Sequence, residues 1–536
     1  AVALHRTAFL LYANRERIAR SGVLLVGPNR VFLRYIEQVL PALGEADAVL
    51  TSTPGELFPG VATGLQDEPL LGALKGDLRM ATVIAEAVRR RQRTLDRTRR
   101  LDVDGTIIRL DPAPVRQARD RARRSGAPHN QARVAFVAEI LRGLLKQLAA
   151  ARGTEVDAES RGDLMGALYE SRDVRREINW CWAPITPQRL LRDLFADPAH
   201  LDPAARVLTG PERAMLRRER TAPWTIADVA LLDEAAELLG EDDSSAGTDT
   251  ARAEAEQRAE IAYADQVQDT FGSKGFISAE SLAGRYASTS SVGTVAERAA
   301  TDREWSFGHI VIDEAQELSP MMWRLLMRRV PSRSLTVVGD VAQTGSLAGA
   351  RSWGEVLAPH VGDRWQLAEL SVNYRTPAQI MDVAAAVVHG AGLKVNVPAS
   401  ARTGRYAPLF TRVTGDLARS VQLAEVVHSE WTLADTGTVA VITPRALHAE
   451  AASTIAAALP PGIVTADTDA LGSPVSVLTV ADAKGLEFDT VVLLEPAAII
   501  AESPRGINDL YVALTRPTQR LHVVHAGILP AGMASA

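Results

Sequence analysis

Asp313 and Glu314 follow the apolar run His309-Ile310-Val311-Ile312, which puts two adjacent carboxylates at the end of a short pattern of the buried-strand type. Ligands of open α/β sheets bind just outside the carboxyl ends of the strands. Asp313 is therefore a candidate to hold Mg²⁺, directly or through water, and Glu314 to orient or deprotonate a water attacking a γ-phosphate. The same four residues, Asp313-Glu314-Ala315-Gln316, also fit a strand that simply runs into an acidic helix start, where negative charge is favoured. A second Asp-Glu-Ala in the chain is the control. Around Asp233 and Glu234, Val229, Leu232, Ala236 and Leu239 recur three and four residues apart, which predicts an amphipathic helix with both acids on its solvated face.

Four further segments carry groups suited to phosphate chemistry. Gly339-Asp340-Val341-Ala342-Gln343 ends a second apolar run, and Gln343 could reach a phosphate or its attacking water; a turn that needs Gly and Asp is the plain alternative. Tyr374-Arg375 offers an aromatic plane beside a guanidinium. Lys484-Gly485-Leu486-Glu487 precedes a strand pattern, and Arg516 closes the helical pattern Tyr511-Val512-Ala513-Leu514. Taken singly, each arginine could equally be a surface residue.

The elements that must position these groups alternate in type. Strand patterns occur at 23–27, 309–312, 335–340, 438–442, 475–480, 490–494 and 521–524, with helical patterns between them and Asn29 as an N-cap candidate. This predicts a doubly wound parallel α/β fold, with a mainly helical insertion over 66–300. At 536 residues, 46% apolar and 23% charged, the chain is globular and has room for several domains. No run approaches the roughly 18 apolar residues of a membrane helix, and a single cysteine excludes an intrachain disulfide or a Cys-rich zinc site, so a reducing cytoplasm is expected.

Charge is unevenly distributed. Residues 79–124 hold 14 Arg against six acids, whereas 228–269 hold 13 acids against Arg252 and Arg258. Such blocks are either solvated faces or surfaces for partners of opposite sign. The stretch 240–249 reads as a disordered acidic loop. Trp180, Trp182 and Trp224 read as core of a helical domain, with partner anchors as the alternative.

In their order and spacing, Asp313–Gln316, Gly339–Gln343, Val372–Arg375, Ala483–Asp489 and Val512–Arg516 resemble motifs II to VI of superfamily 1 helicase motors of the UvrD and PcrA type. The resemblance implies two RecA-like domains binding ATP, or GTP, with Mg²⁺. It implies that Asp313 coordinates the metal, Glu314 activates water, Gln343 senses the γ-phosphate, and Arg375 and Arg516 approach it from across a cleft. Tyr374 would stack on the base, with Glu487 near the ribose and Gly485 among the nucleotide-binding residues.

Two departures refine the resemblance. No Gly-Lys-Thr phosphate loop occurs, while Ala1–Thr7 resembles the helix that follows one, so the expectation is an amino-terminal truncation and a fragment that binds ATP poorly and hydrolyses it negligibly. The chain also lacks room for a 2B domain after Arg375 and places its long insertion before Asp313. It thereby resembles the HelD branch, ATP-dependent factors that act on bacterial RNA polymerase. The expected organisation is 1–65 and 301–365 as domain 1A, 66–300 as the insertion, and 366–536 as domain 2A. The expected partner is core RNA polymerase, met by a monomer that opens the nucleic-acid channel and releases DNA or RNA. A DNA helicase of the UvrD type and a passive binding module are the alternatives.

Overall fold

The computed structural model describes residues 6, 9, 21–39, 48–155, 157–241, 298–300, 302–393, 397–466 and 473–533. In chain order its strands are β1 (Val23–Val26), β2 (Val49–Ser52), β3 (Arg99–Val103), β4 (Thr106–Leu110), β5 (His309–Ile312), β6 (Leu335–Val337), β7 (Val372–Asn373), β8 (Ala399–Ser400), β9 (Leu409–Arg412), β10 (Val439–Thr443), β11 (Val464–Thr465), β12 (Val475–Thr479), β13 (Phe488–Leu494) and β14 (Pro517–His525). The chain divides into two compact units, residues 1–77 with 294–536, and residues 78–293.

The larger unit holds two parallel sheets, as the alternation of strand and helix patterns predicts. The first has strand order β2-β1-β5-β6 and the second β11-β12-β10-β13-β14-β9. In the first sheet, Val26 is level with both Ser52 and Ile312, so the strands finish together. Gly27 N–H donates to the Ser52 carbonyl (3.1 Å) and Asp313 N–H to that of Val26 (2.9 Å), which brings Gly27 and Asp313 to one edge. The N-cap expected at Asn29 forms: its Oδ1 accepts from Phe32 N–H at 2.9 Å and starts the helix Arg30–Val39.

The second sheet is covered on both faces, which explains its near-continuous apolar strands. Ala440, Ile442, Val491 and Leu493 pack on one side with Val383, Val387 and Leu510 of the helices Ala378–Gly390 and Gly506–Leu514. Val439, Val441, Val477 and Val492 pack on the other with Val427 and Ile455 of the helices Asp416–Ala434 and Arg445–Ala458.

The unit of residues 78–293 is mostly helical, with one addition to the sequence reading. β3 and β4 form an antiparallel hairpin turned by Asp104 and Gly105, both at positive φ (48° and 81°). Asp-Gly between alternating apolar residues is the signal of such a turn, and the density of arginines around it masked the alternation. The core gathers around Trp182, which packs on Phe136 (centroids 5.2 Å apart) and donates through Nε1 to the His129 carbonyl (3.1 Å). Trp182 is thus core, as read; Trp224 is partly buried, with the Arg218 guanidinium over its ring, and Trp180 remains 41% exposed. Cys181 is buried, and burial pushes its thiol up to about 12, leaving it unreactive at neutral pH.

A second reading needs correction. The helix Ile226–Leu239 exists as expected, but Asp233 and Glu234 are buried rather than solvated. Apolar or small residues line the helix on all sides, and helices Arg79–Arg90, His129–Arg152 and Pro187–Ala196 pack around it. A helix apolar all round is an interior helix, and its few acids go inside with it. Asp228, also buried, is held by Arg218 Nη1 at 2.6 Å and by Thr225 N–H and hydroxyl at 3.0 Å. The acidic loop read at 240–249 and most of the acidic block fall outside the described residues.

Candidate functional site

The carboxyl edge of the first sheet, where Asp313 follows β5, faces the amino-terminal ends of β13 and β14 in the second, which Glu487 and Arg516 immediately precede, and the candidate residues converge there. Asp313 leaves β5 half-buried, and Glu314 follows in the left-handed region (φ 50°). That conformation is costly for a residue with a side chain and is characteristic of functional sites. It lets Glu314 N–H donate to Asp313 Oδ1 (3.0 Å). Burial first, and then the adjacent Glu314 charge, pushes the Asp313 carboxyl up to about 6.

From Glu314 a chain of hydrogen bonds runs to the second sheet. Gln316 Nε2 donates to Glu314 Oε2 (2.6 Å), and Gln316 Oε1 accepts from Asp340 N–H (3.1 Å). Asp340 Oδ2 accepts from Gln343 Nε2 (3.0 Å), and Gln343 Oε1 accepts from Arg516 Nη2 (3.0 Å). Carboxylates and a guanidinium at the ends and centre leave each amide one consistent orientation. A Cβ on Gly339 would collide with Gln316 Oε1, so the glycine that looked like a turn residue clears space for this chain.

Arg516 is buried just after the helix Gly506–Leu514, with Nε on the Val512 carbonyl (3.1 Å) and Nη1 on that of Leu486 (3.2 Å). Burial lowers its pKa, opposed by the charge of Glu314, and the charges of Arg375 and Glu487 also act on it. Arg375 and Glu487 form an ion pair with each other. Gly485 adopts φ 78° and lies against Pro28 of the first sheet's edge. The Tyr374 side chain is 75% exposed beside Arg375. The structure thus brings together Asp313, Glu314, Gln343, Arg375, Glu487 and Arg516, with Gly485 at the rim and Tyr374 facing solvent.

Sequence reasoning gave no role to a second bridge. Lys484 Nζ binds Glu317 Oε1 (2.9 Å) and lies 3.6 Å from Asp509 Oδ1. Burial disfavours the ammonium, but Glu317 and Asp509 outweigh it and hold the Lys484 pKa above its ordinary value. Glu317 also accepts from the N–H groups of Gly345 (2.8 Å) and Ser346 (2.9 Å). Asn508 donates to the Ala342 carbonyl (2.6 Å), Arg505 to that of Thr344 (3.4 Å), and Asn29 to that of Lys484 (3.3 Å). Partners 167 positions apart leave no periodic trace in a sequence. A separate cavity of about 120 Å³, lined by Leu24, Ser52, Glu56, Phe307 and Arg329, includes none of the candidate residues.

The donor set at Asp313 fits a hard divalent cation. Mg²⁺ takes one or two carboxylates and keeps several waters, and a carboxyl strained upward by burial is relieved by a cation. Among the described residues no cluster of three or more metal-ligating side chains competes with it. No described helix is long and apolar enough to cross a membrane.

Residues 435–525 match the family described as the viral superfamily 1 RNA helicase core domain. That match contains Gly485, Glu487 and Arg516 and stops short of Asp313, Glu314, Gln343, Tyr374 and Arg375. Comparison with curated proteins gives no match. Among solved structures, the C-terminal domain of a possible DNA helicase from Lactobacillus plantarum WCFS1 is similar at 23% identity and a TM-score of 0.24, over 30% of this chain and 92% of that one. Residues 435–525, which carry β10 to β14, are thus similar to a superfamily 1 helicase core.

Proposed function

We propose that the seam between the two parallel sheets binds a nucleoside triphosphate, ATP or GTP, and that its hydrolysis shifts one sheet against the other. The observation that carries this reading is the unbroken hydrogen-bond chain from Glu314, through Gln316, Asp340 and Gln343, to Arg516. A carboxylate from one sheet and a guanidinium from the other are the two groups that phosphoryl transfer requires on opposite sides of the reacting phosphate. Mg²⁺, when bound, neutralises phosphate charge, and Asp313 with water molecules would hold it. Glu314 is the base for the attacking water, its carboxylate fixed by Gln316. Gln343 and Arg516 are placed for the γ-phosphate, Arg375 beside them, and Tyr374 and Glu487 for the nucleoside.

The 536 residues contain no glycine-rich phosphate loop, so the expectation for this chain is weak, Mg²⁺-dependent binding and negligible turnover. Titration with a fluorescent ATP analogue tests it. Binding at millimolar nucleotide should require Mg²⁺ and vanish in Asp313→Ala and in Arg516→Ala; absent binding, or binding indifferent to Mg²⁺ and both substitutions, refutes the reading.

For the partner, we favour bacterial core RNA polymerase, remodelled by a monomer that frees bound DNA or RNA. Support comes from the position of the compact unit 78–293, which interrupts the first sheet between β2 and β5, together with the motif order. The helicase-like match over 435–525 keeps a DNA helicase as the second reading. Size-exclusion chromatography with core polymerase, and binding to forked DNA, separates them: a stable polymerase complex supports the first, and fork binding without one supports the second.

A further inference from the structure

We infer that the outer face of the β3–β4 hairpin, with Arg93 and Trp180, is a docking surface for the phosphate backbone of single-stranded nucleic acid. Leu101, Val103, Ile108 and Leu110 point into the core of residues 78–293, which turns Arg100 and Arg109 outward. The antiparallel register sets these two arginines directly opposite each other. Like charges in that relation destabilise a hairpin, so folding alone gives no reason for the pair.

Of the nearby carboxylates two are ion-paired, and the third, Asp102, shares the outward face and is held by the turn. Asp96 pairs with Arg99 (3.2 Å), Asp102 accepts from Gly105 N–H (2.8 Å), and Asp104 pairs with Arg152 (3.4 Å). Among the described residues no carboxylate lies within ion-pair distance of Arg97, Arg100 or Arg109. Their charge faces solvent unneutralised.

The arginines also form a path rather than a scatter. Arg93 N–H donates to the Cys181 carbonyl (2.7 Å), Arg99 lies 3.5 Å from Glu177, and Asp102 N–H donates to Asp173 Oδ2 (3.1 Å). Residues 93–102 therefore run along the helix Arg172–Cys181 in the opposite direction, setting Arg93, Arg97 and Arg100 in a row. At one end the Arg93 guanidinium sits 5.6 Å above the half-exposed Trp180 ring. Guanidinium groups along an extended track neutralise successive phosphates, and an exposed indole beside them stacks an unpaired base.

Fluorescence anisotropy of labelled oligo-dT and oligo-U with the full chain tests the inference without nucleotide. Arg100→Gln/Arg109→Gln should weaken binding roughly tenfold and lower the log–log salt slope by about 1.4, at 0.7 per single-strand phosphate contact. Its melting temperature should hold or rise, because a repulsive pair is removed. Arg100→Lys/Arg109→Lys should retain binding. Trp180→Ala should weaken it with the slope unchanged. Arg516→Ala should leave it intact, so this outcome is independent of the nucleotide reading. Undiminished affinity in the Gln double variant, no oligonucleotide binding by the parent chain, or capture of poly-glutamate in place of oligonucleotide overturns the inference, the last in favour of an acidic protein partner.

Discussion

At the scale of single residues, Asp313 is the group whose surroundings most alter its chemistry. Its folded pKa of about 6 lies above the ordinary 3.8, so the folded chain holds a proton that the unfolded chain has released. The contribution of Asp313 is most favourable below about pH 4 and is lost as pH rises through 6. Asp313→Asn is therefore expected to stabilise the protein at pH 7.5 by about 3 kcal/mol and to have little effect at pH 4. Thermal melts at the two pH values check this, and a gain independent of pH would refute it. Mg²⁺ binds the ionised form, so it should raise the melting temperature of the parent chain more at pH 7.5 than at pH 5, and not that of the variant. Gln316 is the second informative residue. Gln316→Leu strips a donor from Glu314 and an acceptor from Asp340 N–H, and should cost about 2 kcal/mol in urea denaturation. A cost near zero would mean that water replaces the amide.

At the scale of elements, legibility in the sequence followed burial. β1, β5, β10, β12 and β13 are largely apolar runs because both faces of their sheets are covered, and each was readable. β9, Leu409–Arg412, lies at an open sheet edge with no fully buried residue, and its mixed composition hid it. β6 ends at Val337: Val338 still bonds the β5 side, its N–H donating to the Ile312 carbonyl (2.8 Å) and its carbonyl accepting from Ala315 N–H (3.0 Å), and the chain then turns into the Asp340–Gln343 segment. The individual candidates Asp313, Gln343 and Arg516 were legible from motif order, whereas Gln316 and Asp340 stood inside the same motifs without an assigned task, since only geometry shows which side chains touch. In the helical unit, the core packing predicts that Trp182→Ala costs about 3–5 kcal/mol, through the lost contact with Phe136 and the orphaned His129 carbonyl. Chemical denaturation of the full chain, followed on the transition of this unit, measures it; a loss under 1 kcal/mol would show that the cavity collapses.

At the scale of the whole molecule, the bridges that join the sheets of the larger unit include one ending on Arg516 and one on Lys484. The second clamps the segment 344–350 through Glu317 and does not involve the nucleotide candidates. Glu317→Gln should leave Mg²⁺-dependent nucleotide binding in place while making the peptide bonds of 344–350 more sensitive to limited proteolysis; unchanged cleavage would mean that Asn508 and Arg505 suffice. The residues just before position 78 supply a mechanical corollary. Lys75 and Asp67 form a buried pair at 2.7 Å, Met321 N–H donates to the Gly76 carbonyl (3.0 Å), and a Cβ on Gly76 would stand 2.5 Å from that of Ser319. The segment ending at Gly76 is thus held against Ser319 and Met321, at the start of the helix Pro320–Arg329. Within this unit, residues 67–76 therefore cannot shift without disturbing the helix start that follows the Asp313–Glu317 loop, so the two segments are ordered together.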